Sequence, residues 1–116
     1  MKILITDDHA LLRDSLSLLL TGRFGSDLQL LHAENGHIAL QQVETHADLD
    51  LILLDIDLPD IHGFQVLKQI AQQAPSLPVI AVMSLKCMVW HQAFTVIVAA
   101  TTGIRRKQAA RWIKAI

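Results

Sequence analysis

The 116-residue sequence predicts a single α/β domain built on a doubly wound parallel sheet with helices on both faces. Three observations lead there. Short aliphatic runs of strand length alternate with segments of helical period four times from the N-terminus. That alternation implies parallel strands joined by right-handed crossovers, with helices on both faces of one sheet. The third run, "LDLILLD" (49–55), alternates too little for a face open to water, so it is covered on both sides. Acidic residues recur where strand runs end: Asp7 and Asp8 after the first, Asp55 on the last residue of the third.

The elements follow in order. "KILIT" (2–6) is the first strand. "DDHALLRDSLSLLLTG" switches to helical period, with Leu12, Leu16, Leu19 and Leu20 on one face, Asp8 as candidate N-cap and Gly22 as candidate stop. "LQLLHA" (28–33) is the second strand, and "NGHIALQQVETHA" follows as a helix with Ala39, Leu40, Val43 and Ala47 aligned. After the third strand, "GFQVLKQIAQQAP" aligns Phe64, Leu67, Ile70 and Ala74 on one helical face and ends at Pro75. "LPVIAVMS" (77–84) is the fourth strand. A fifth strand has two registers, about 95–100 by the β-branched content of "FTVIVAAT", or about 102–106. A terminal helix carries Ala109, Trp112, Ile113 and Ile116 on one face.

Composition narrows the class. Apolar residues make up 52% and charged residues 18%, which argues against disorder and for a real core. Aromatics are only 4%, so that core is aliphatic. The single Cys87 excludes an internal disulfide and fits a reducing compartment. No signal peptide is evident, and no apolar run approaches the ~20 residues that span a bilayer. The expectation is a cytoplasmic protein with no membrane partner. Residues 1–60 hold all 11 acidic residues and three basic ones, whereas 61–116 hold seven basic residues and none acidic. Such a split can mark a nucleic-acid face. Here only "RRKQAAR" is a dense cluster, so the plainer reading is an acidic site in one half and solvated Lys and Arg in the other.

The acidic residues suggest chemistry. In a doubly wound sheet, ligands bind beyond the carboxyl ends of the strands where strand order reverses. Asp7, Asp8, Asp55 and Ser84 all fall at such ends. Clustered carboxylates repel one another unless a cation joins them, and an all-oxygen set suits Mg²⁺. A carboxylate can also act as the nucleophile that accepts a phosphoryl group. The transferred group needs a hydroxyl donor and a cation beside it; Ser84 and Lys107 are the candidates. His9, His32, His37, His46, His62 and His91 lack paired metal spacing and read as surface or structural residues.

Three blocks carry a family resemblance. "ILITDDHALLRDSL", "LILLDIDLPDIHGF" and "LPVIAVMS", in this order and spacing, resemble the receiver domains of two-component response regulators. The wording "DDHALLRD" is similar to receivers joined to a LuxR-type helix-turn-helix. The resemblance covers residues 1–84 well. It implies a flavodoxin-like, five-stranded parallel sheet over a single domain, 1–116. It also implies a non-enzymatic signalling role in which a histidine kinase transfers a phosphoryl group to Asp55 with Mg²⁺. Asp8 and Asp55 would hold the metal directly, Asp7 through water and Asp57 through its backbone carbonyl. Ser84 and Lys107 would contact the phosphoryl group, with "TGIRRK" matching the family's Gly-aromatic-x-x-Lys strand.

The sequence departs from that pattern late in the chain. Ile104 stands at the aromatic switch position paired with Ser84, bulky Leu85 follows Ser84, and residues 86–100 are unusually apolar. The terminal helix stops early, at Ile116, and DNA contact would come only through an output domain absent from this chain. "CMVWHQAFTVIVAA" (87–100), with scarcely a charge, leads us to expect a homo-oligomer. Two other classes remain open: a pseudo-receiver that binds partners without phosphorylation, and a haloacid-dehalogenase-like phosphatase suggested by "DIDLPD".

Overall fold

The computed structural model describes residues 1–84 and 94–97. Its elements are β1 (Lys2–Thr6), α1 (Ala10–Phe24), β2 (Gln29–Ala33), α2 (Gly36–Thr45), β3 (Leu51–Asp55), α3 (Gly63–Gln73), β4 (Val79–Ser84) and β5 (Phe94–Ile97). They form one sheet in the order β2-β1-β3-β4-β5. The order reverses between β1 and β3, because the chain steps outward to β2 and then returns past β1. Pairs β1–β2, β1–β3 and β3–β4 are parallel. The α/β doubly wound class expected from the sequence is therefore present.

The last strand differs in direction. β5 pairs antiparallel to β4, with Ser84 opposite Phe94 and Ala81 opposite Ile97. A parallel return needs a crossover of roughly a dozen residues or more. Only positions 85–93 lie between β4 and β5, too few for that return. The strand lies at 94–97, nearer the earlier of the two registers considered. Ile104, Lys107, the terminal helix and most of the apolar stretch 87–100 lie outside the described residues.

The two faces of the sheet bury separate aliphatic clusters. On one face Leu16 and Leu20 of α1 pack over Ile3, Ile5, Leu51, Leu53 and Ile80. On the other, Ala39 and Val43 of α2 and Val66 and Ile70 of α3 cover Leu4, Ile52, Leu54 and Val79. Alternate residues of β1 and β3 thus feed opposite clusters, which is why β3 shows no polar alternation. Every residue of β3 is buried. A fully buried Leu or Ile stabilises by roughly 1.5–3 kcal/mol, so this strand holds its terminal Asp55 in a fixed place.

Several local expectations shift by a turn. The α1 helix begins one residue after His9, which is its N-cap in place of Asp8 and makes no side-chain cap bond. It runs past Gly22 and stops at Gly25, whose φ of 79° suits glycine and whose N–H donates to the Thr21 carbonyl. Leu19 is 42% exposed, so the buried stripe of α1 is Leu16 and Leu20 with Leu12 beside it. Phe64 is 58% exposed and stacks on His62; the buried stripe of α3 is Val66 and Ile70. Ala47 lies beyond the end of α2 and is exposed.

Candidate functional site

Asp7 follows β1 directly, and its N–H continues the β1–β2 ladder by donating to the Ala33 carbonyl at 3.0 Å. Its own carbonyl accepts from the Arg13 guanidinium at 2.8 Å, which ties the strand end to α1. Asp7 is therefore buried, at 2% exposure. Asp55 at the end of β3 is equally buried. Strands β1 and β3 are neighbours, so both carboxylates open at the point where strand order reverses.

Ligand atoms of Asp7, Asp8, His9 and Asp55 all lie within 4.8 Å of one another. Asp7 Oδ1 accepts from the His9 backbone N–H at 2.8 Å. The His9 ring Nδ1 stands 3.2 Å from the same oxygen and 3.0 Å from Asp8 Oδ1. Asp55 Oδ1 accepts from the Asp57 N–H at 3.0 Å, an Asx-turn that bends the chain away from the strand immediately beyond the pocket. Three carboxylates converge here from two strand ends, and two of them are shielded from water. Like charges so placed oppose one another unless a cation is shared. The donor set fits a small divalent cation: mostly hard carboxylate oxygens, with an open side at Asp8 and His9, whose side chains are 27% and 48% exposed.

A second carboxylate on the same loop has a different setting. Asp60 Oδ1 accepts from the N–H groups of Gly36 (2.8 Å) and Ile61 (2.9 Å). Its Oδ2 accepts from the His37 N–H at 3.0 Å and lies 2.6 Å from His37 Nδ1. Burial acts to raise its pKa, but the hydrogen bonds from Gly36, His37 and Ile61 outweigh it and hold the carboxyl well below the usual range. Asp60 thereby caps α2 from across the loop, beside Asn35, whose own side chain caps at Ile38 N–H. Two glycines allow the close fit. A Cβ on Gly36 would stand 2.9 Å from Val66 Cγ2, and one on Gly63 would stand 2.8 Å from the Ile56 carbonyl oxygen and closer still to its Cα.

The structure therefore brings Asp7, Asp8 and Asp55 together, as the sequence suggested, and carries Asp57 on the loop just outside. Ser84 ends β4, two residues past Val82, which is the register partner of Asp55. Lys107 and Ile104 lie outside the described residues. Sequence reasoning missed His9 and Asp60. The signal for His9 was its place directly after an acidic pair at a strand end; for Asp60 no local pattern pointed across 24 residues to Gly36.

Residues 3–106 match the family described as the response regulator receiver domain. The chain belongs to this family. Curated relatives include the glycerol metabolism activator of Pseudomonas putida, 38% identical over 81 residues, covering 70% of this chain and 36% of that protein. The transcriptional activator protein ExaE of Pseudomonas putida is 36% identical over 80 residues, covering 69% of this chain and 36% of that one. The matched region is thus about a third of either relative. Among solved structures, a CheY-like receiver domain protein from Methanospirillum hungatei JF-1 superposes with a TM-score of 0.65 at 28% identity, over 73% of this chain and 67% of that one. In this receiver domain the acidic pocket occupies the strand-order switch point, and Asp55 ends the third strand. A haloacid-dehalogenase nucleophile would follow the first strand instead, so "DIDLPD" carries no such reading here. Among the described residues no helix is long and apolar enough to cross a membrane.

Proposed function

We propose that this receiver domain accepts a phosphoryl group on Asp55 from a phosphohistidine of a sensor kinase. The observation that supports it is the gathering of Asp7, Asp8 and Asp55 into one pocket at the carboxyl edge of a receiver fold. A carboxylate oxygen of Asp55 attacks phosphorus, the P–N bond breaks, and the imidazole nitrogen departs with its electron pair. The product is an acyl phosphate. Asp8, Asp55 and the Asp57 carbonyl would hold Mg²⁺, with Asp7 acting through water. The metal would supply positive charge to the equatorial oxygens of the transferred group.

The remaining roles belong to this chain. Asp55 is held ready by its buried strand and by the Asp57 N–H, so no reorganisation of the nucleophile is needed. Ser84 would donate its hydroxyl to a phosphoryl oxygen, and Lys107 would pair with another. Ser84 and Ile104 would carry the resulting shift to the surface, with Ile104 in place of an aromatic ring. The output would be transcriptional, as the name of the relative ExaE, a transcriptional activator protein, suggests, with DNA contacted only through an output domain. A second copy would associate through the apolar stretch 87–100, which includes β5 at the end of the strand order.

Leu85 and Ile104 favour one competing reading, a pseudo-receiver that binds partners without phosphorylation. Acetyl phosphate with Mg²⁺ separates the two. Intact mass is expected to show one added phosphoryl group on the wild type and none on Asp55→Asn. Equal labelling of both would refute the assignment of Asp55. No labelling of either would favour the pseudo-receiver.

A further inference from the structure

The acidic pocket holds one nitrogen donor among its oxygens, the His9 ring, which lies within hydrogen-bonding distance of Asp7 and Asp8. We propose that His9 Nδ1 is a metal ligand in this pocket, and that it biases the site toward a first-row transition dication such as Mn²⁺, Ni²⁺ or Zn²⁺ and away from Mg²⁺. The inference rests on the reading of the pocket as a divalent-cation site, and on nothing about phosphorylation.

The argument begins with spacing. In an octahedral site with metal–ligand bonds of about 2.1 Å, adjacent ligand atoms are about 3.0 Å apart. His9 Nδ1 stands 3.0 Å from Asp8 Oδ1 and 3.2 Å from Asp7 Oδ1. These separations serve a hydrogen bond to Asp7 and a pairing with Asp8, and they equal those of neighbouring ligands on one metal; Asp55 completes a group within 4.8 Å. Among the described residues this is the histidine that enters such a group; His32, His37, His46 and His62 do not.

The position is set by the backbone. The His9 N–H donates to Asp7 Oδ1 at 2.8 Å, and its extended φ and ψ of −94° and 111° start α1 without any side-chain cap. The imidazole is therefore not spent on the helix. Nearly half of the ring is exposed, so a hydrated ion can reach it from the pocket mouth.

The chemistry then separates the ions. Mg²⁺ takes oxygen ligands and gives up water reluctantly, whereas imidazole suits Zn²⁺, Ni²⁺ and Cu²⁺. Carboxylates alone already rank the first-row ions, so a bare preference for Ni²⁺ over Mg²⁺ decides nothing. The diagnostic quantity is the part of that preference that disappears with His9. His9→Ala removes the ring but keeps the backbone N–H bond that holds Asp7 Oδ1. His9→Asn puts an oxygen donor near the same position and is expected to favour Mg²⁺.

The test is calorimetric titration of Ni²⁺ and Mg²⁺ into wild type, His9→Ala and His9→Asn, with pulsed EPR of the Mn²⁺-loaded proteins. His9→Ala is expected to weaken Ni²⁺ roughly tenfold or more while changing Mg²⁺ by less than about threefold. The EPR of the wild type is expected to show ¹⁴N coupling at manganese that both variants lack. Any Ni²⁺ held by histidines elsewhere on the surface is untouched by these substitutions. A parallel fall in both affinities, or ¹⁴N coupling that survives in His9→Ala, would overturn the assignment of His9 while leaving the cation site intact. A wild type that binds neither ion at the pocket would overturn the cation reading together with this one.

Discussion

Asp55 and Asp60 lie on one short stretch of chain, at the same edge of the sheet, yet their surroundings are opposite in kind. Asp60 stands alone among donors: three backbone N–H groups and the His37 ring converge on its two oxygens. Asp55 stands among other acids, with Asp7 and Asp8 inside the same 4.8 Å group. One carboxylate has its negative charge answered by the fold. The other adds its charge to two more carboxylates in the same pocket. Acidity is therefore not the mark of the site; what surrounds each acid is. A carboxylate wrapped by amides joins two elements, and a carboxylate gathered with its like invites a ligand.

The largest expected effect tests what holds the two regions apart. Gly63 closes the loop that carries Asp57 and Asp60 by donating its N–H to the Ile56 carbonyl at 2.9 Å. A methyl group there would press on the Ile56 backbone, which cannot yield as a flexible side chain could. Gly63→Ala is expected to lower the unfolding free energy by about 2–3 kcal/mol, measured by urea denaturation. A loss under about 0.5 kcal/mol would show that the loop relaxes freely and that the two acidic settings are not rigidly separated.

Asp60 comes next. Asp60→Ala removes the acceptor of four hydrogen bonds and is expected to cost about 1–2 kcal/mol, the usual range for a lost helix cap. Asp60→Asn, which keeps one acceptor oxygen, is expected to cost less. The acid dependence has a definite sign. The folded pKa of Asp60 lies below its unfolded value, so its contribution is complete above about pH 4 and fades as pH falls through the folded value. The stability gap between wild type and Asp60→Asn is therefore expected to narrow only below about pH 4. A gap that stays constant down to the acid limit would mean that Asp60 acts by shape alone.

Much of this contrast could be read from the sequence on one side only. The strand runs, the acidic strand ends and the resemblance of three blocks to a receiver led to Asp7, Asp8 and Asp55, because strand periodicity places them at one edge. Asp60 was invisible because its partners Gly36 and His37 are adjacent only after α2 docks on the loop. His9 has no paired-histidine spacing to mark it, because its companions are the two carboxylates directly before it and Asp55 at the end of β3. Helix faces were legible to within a turn: Leu16, Leu20, Val43 and Ile70 are buried as expected, while Leu19 and Phe64 are not. A helix of three turns with several apolar residues offers more than one stripe, and only the docked sheet chooses between them. The direction of β5 was likewise a matter of link length, not of residue pattern.

On the acidic side the expected effect is smaller and reversed in sign. Asp55→Asn keeps the oxygen that accepts from the Asp57 N–H and removes one of three converging negative charges. Without divalent ions it is expected to stabilise the protein by about 1 kcal/mol or less, seen as a raised Tm. Added Mg²⁺ is expected to raise the Tm of the wild type and to do little for the variant, since a ligand that binds only the folded state stabilises it. A lower Tm for Asp55→Asn without metal would mean that the pocket's charges are already balanced by the protein, which would erase the contrast with Asp60.

The smallest effect comes from a third acid, and it guards against reading every low pKa as structure. Asp48 also has its pKa lowered, chiefly by the hydrogen bond from Lys2, whose Nζ lies 2.7 Å from Asp48 Oδ2. The cause, however, is one flexible side chain at a surface exposed to water, and not a ring of backbone amides. Holding the Lys2 chain in one rotamer costs entropy, and dissolved ions compete for both partners. The sign matches that of Asp60: a lowered folded pKa stabilises above the unfolded value and is lost on acidification. The size does not. Asp48→Asn is expected to shift the Tm by clearly less than Asp60→Asn, and 1 M salt is expected to abolish the shift for Asp48 while sparing most of that for Asp60. Equal shifts with equal salt sensitivity would show that backbone wrapping adds nothing to an ordinary ion pair, and the comparison between the two kinds of carboxylate would lose its physical basis.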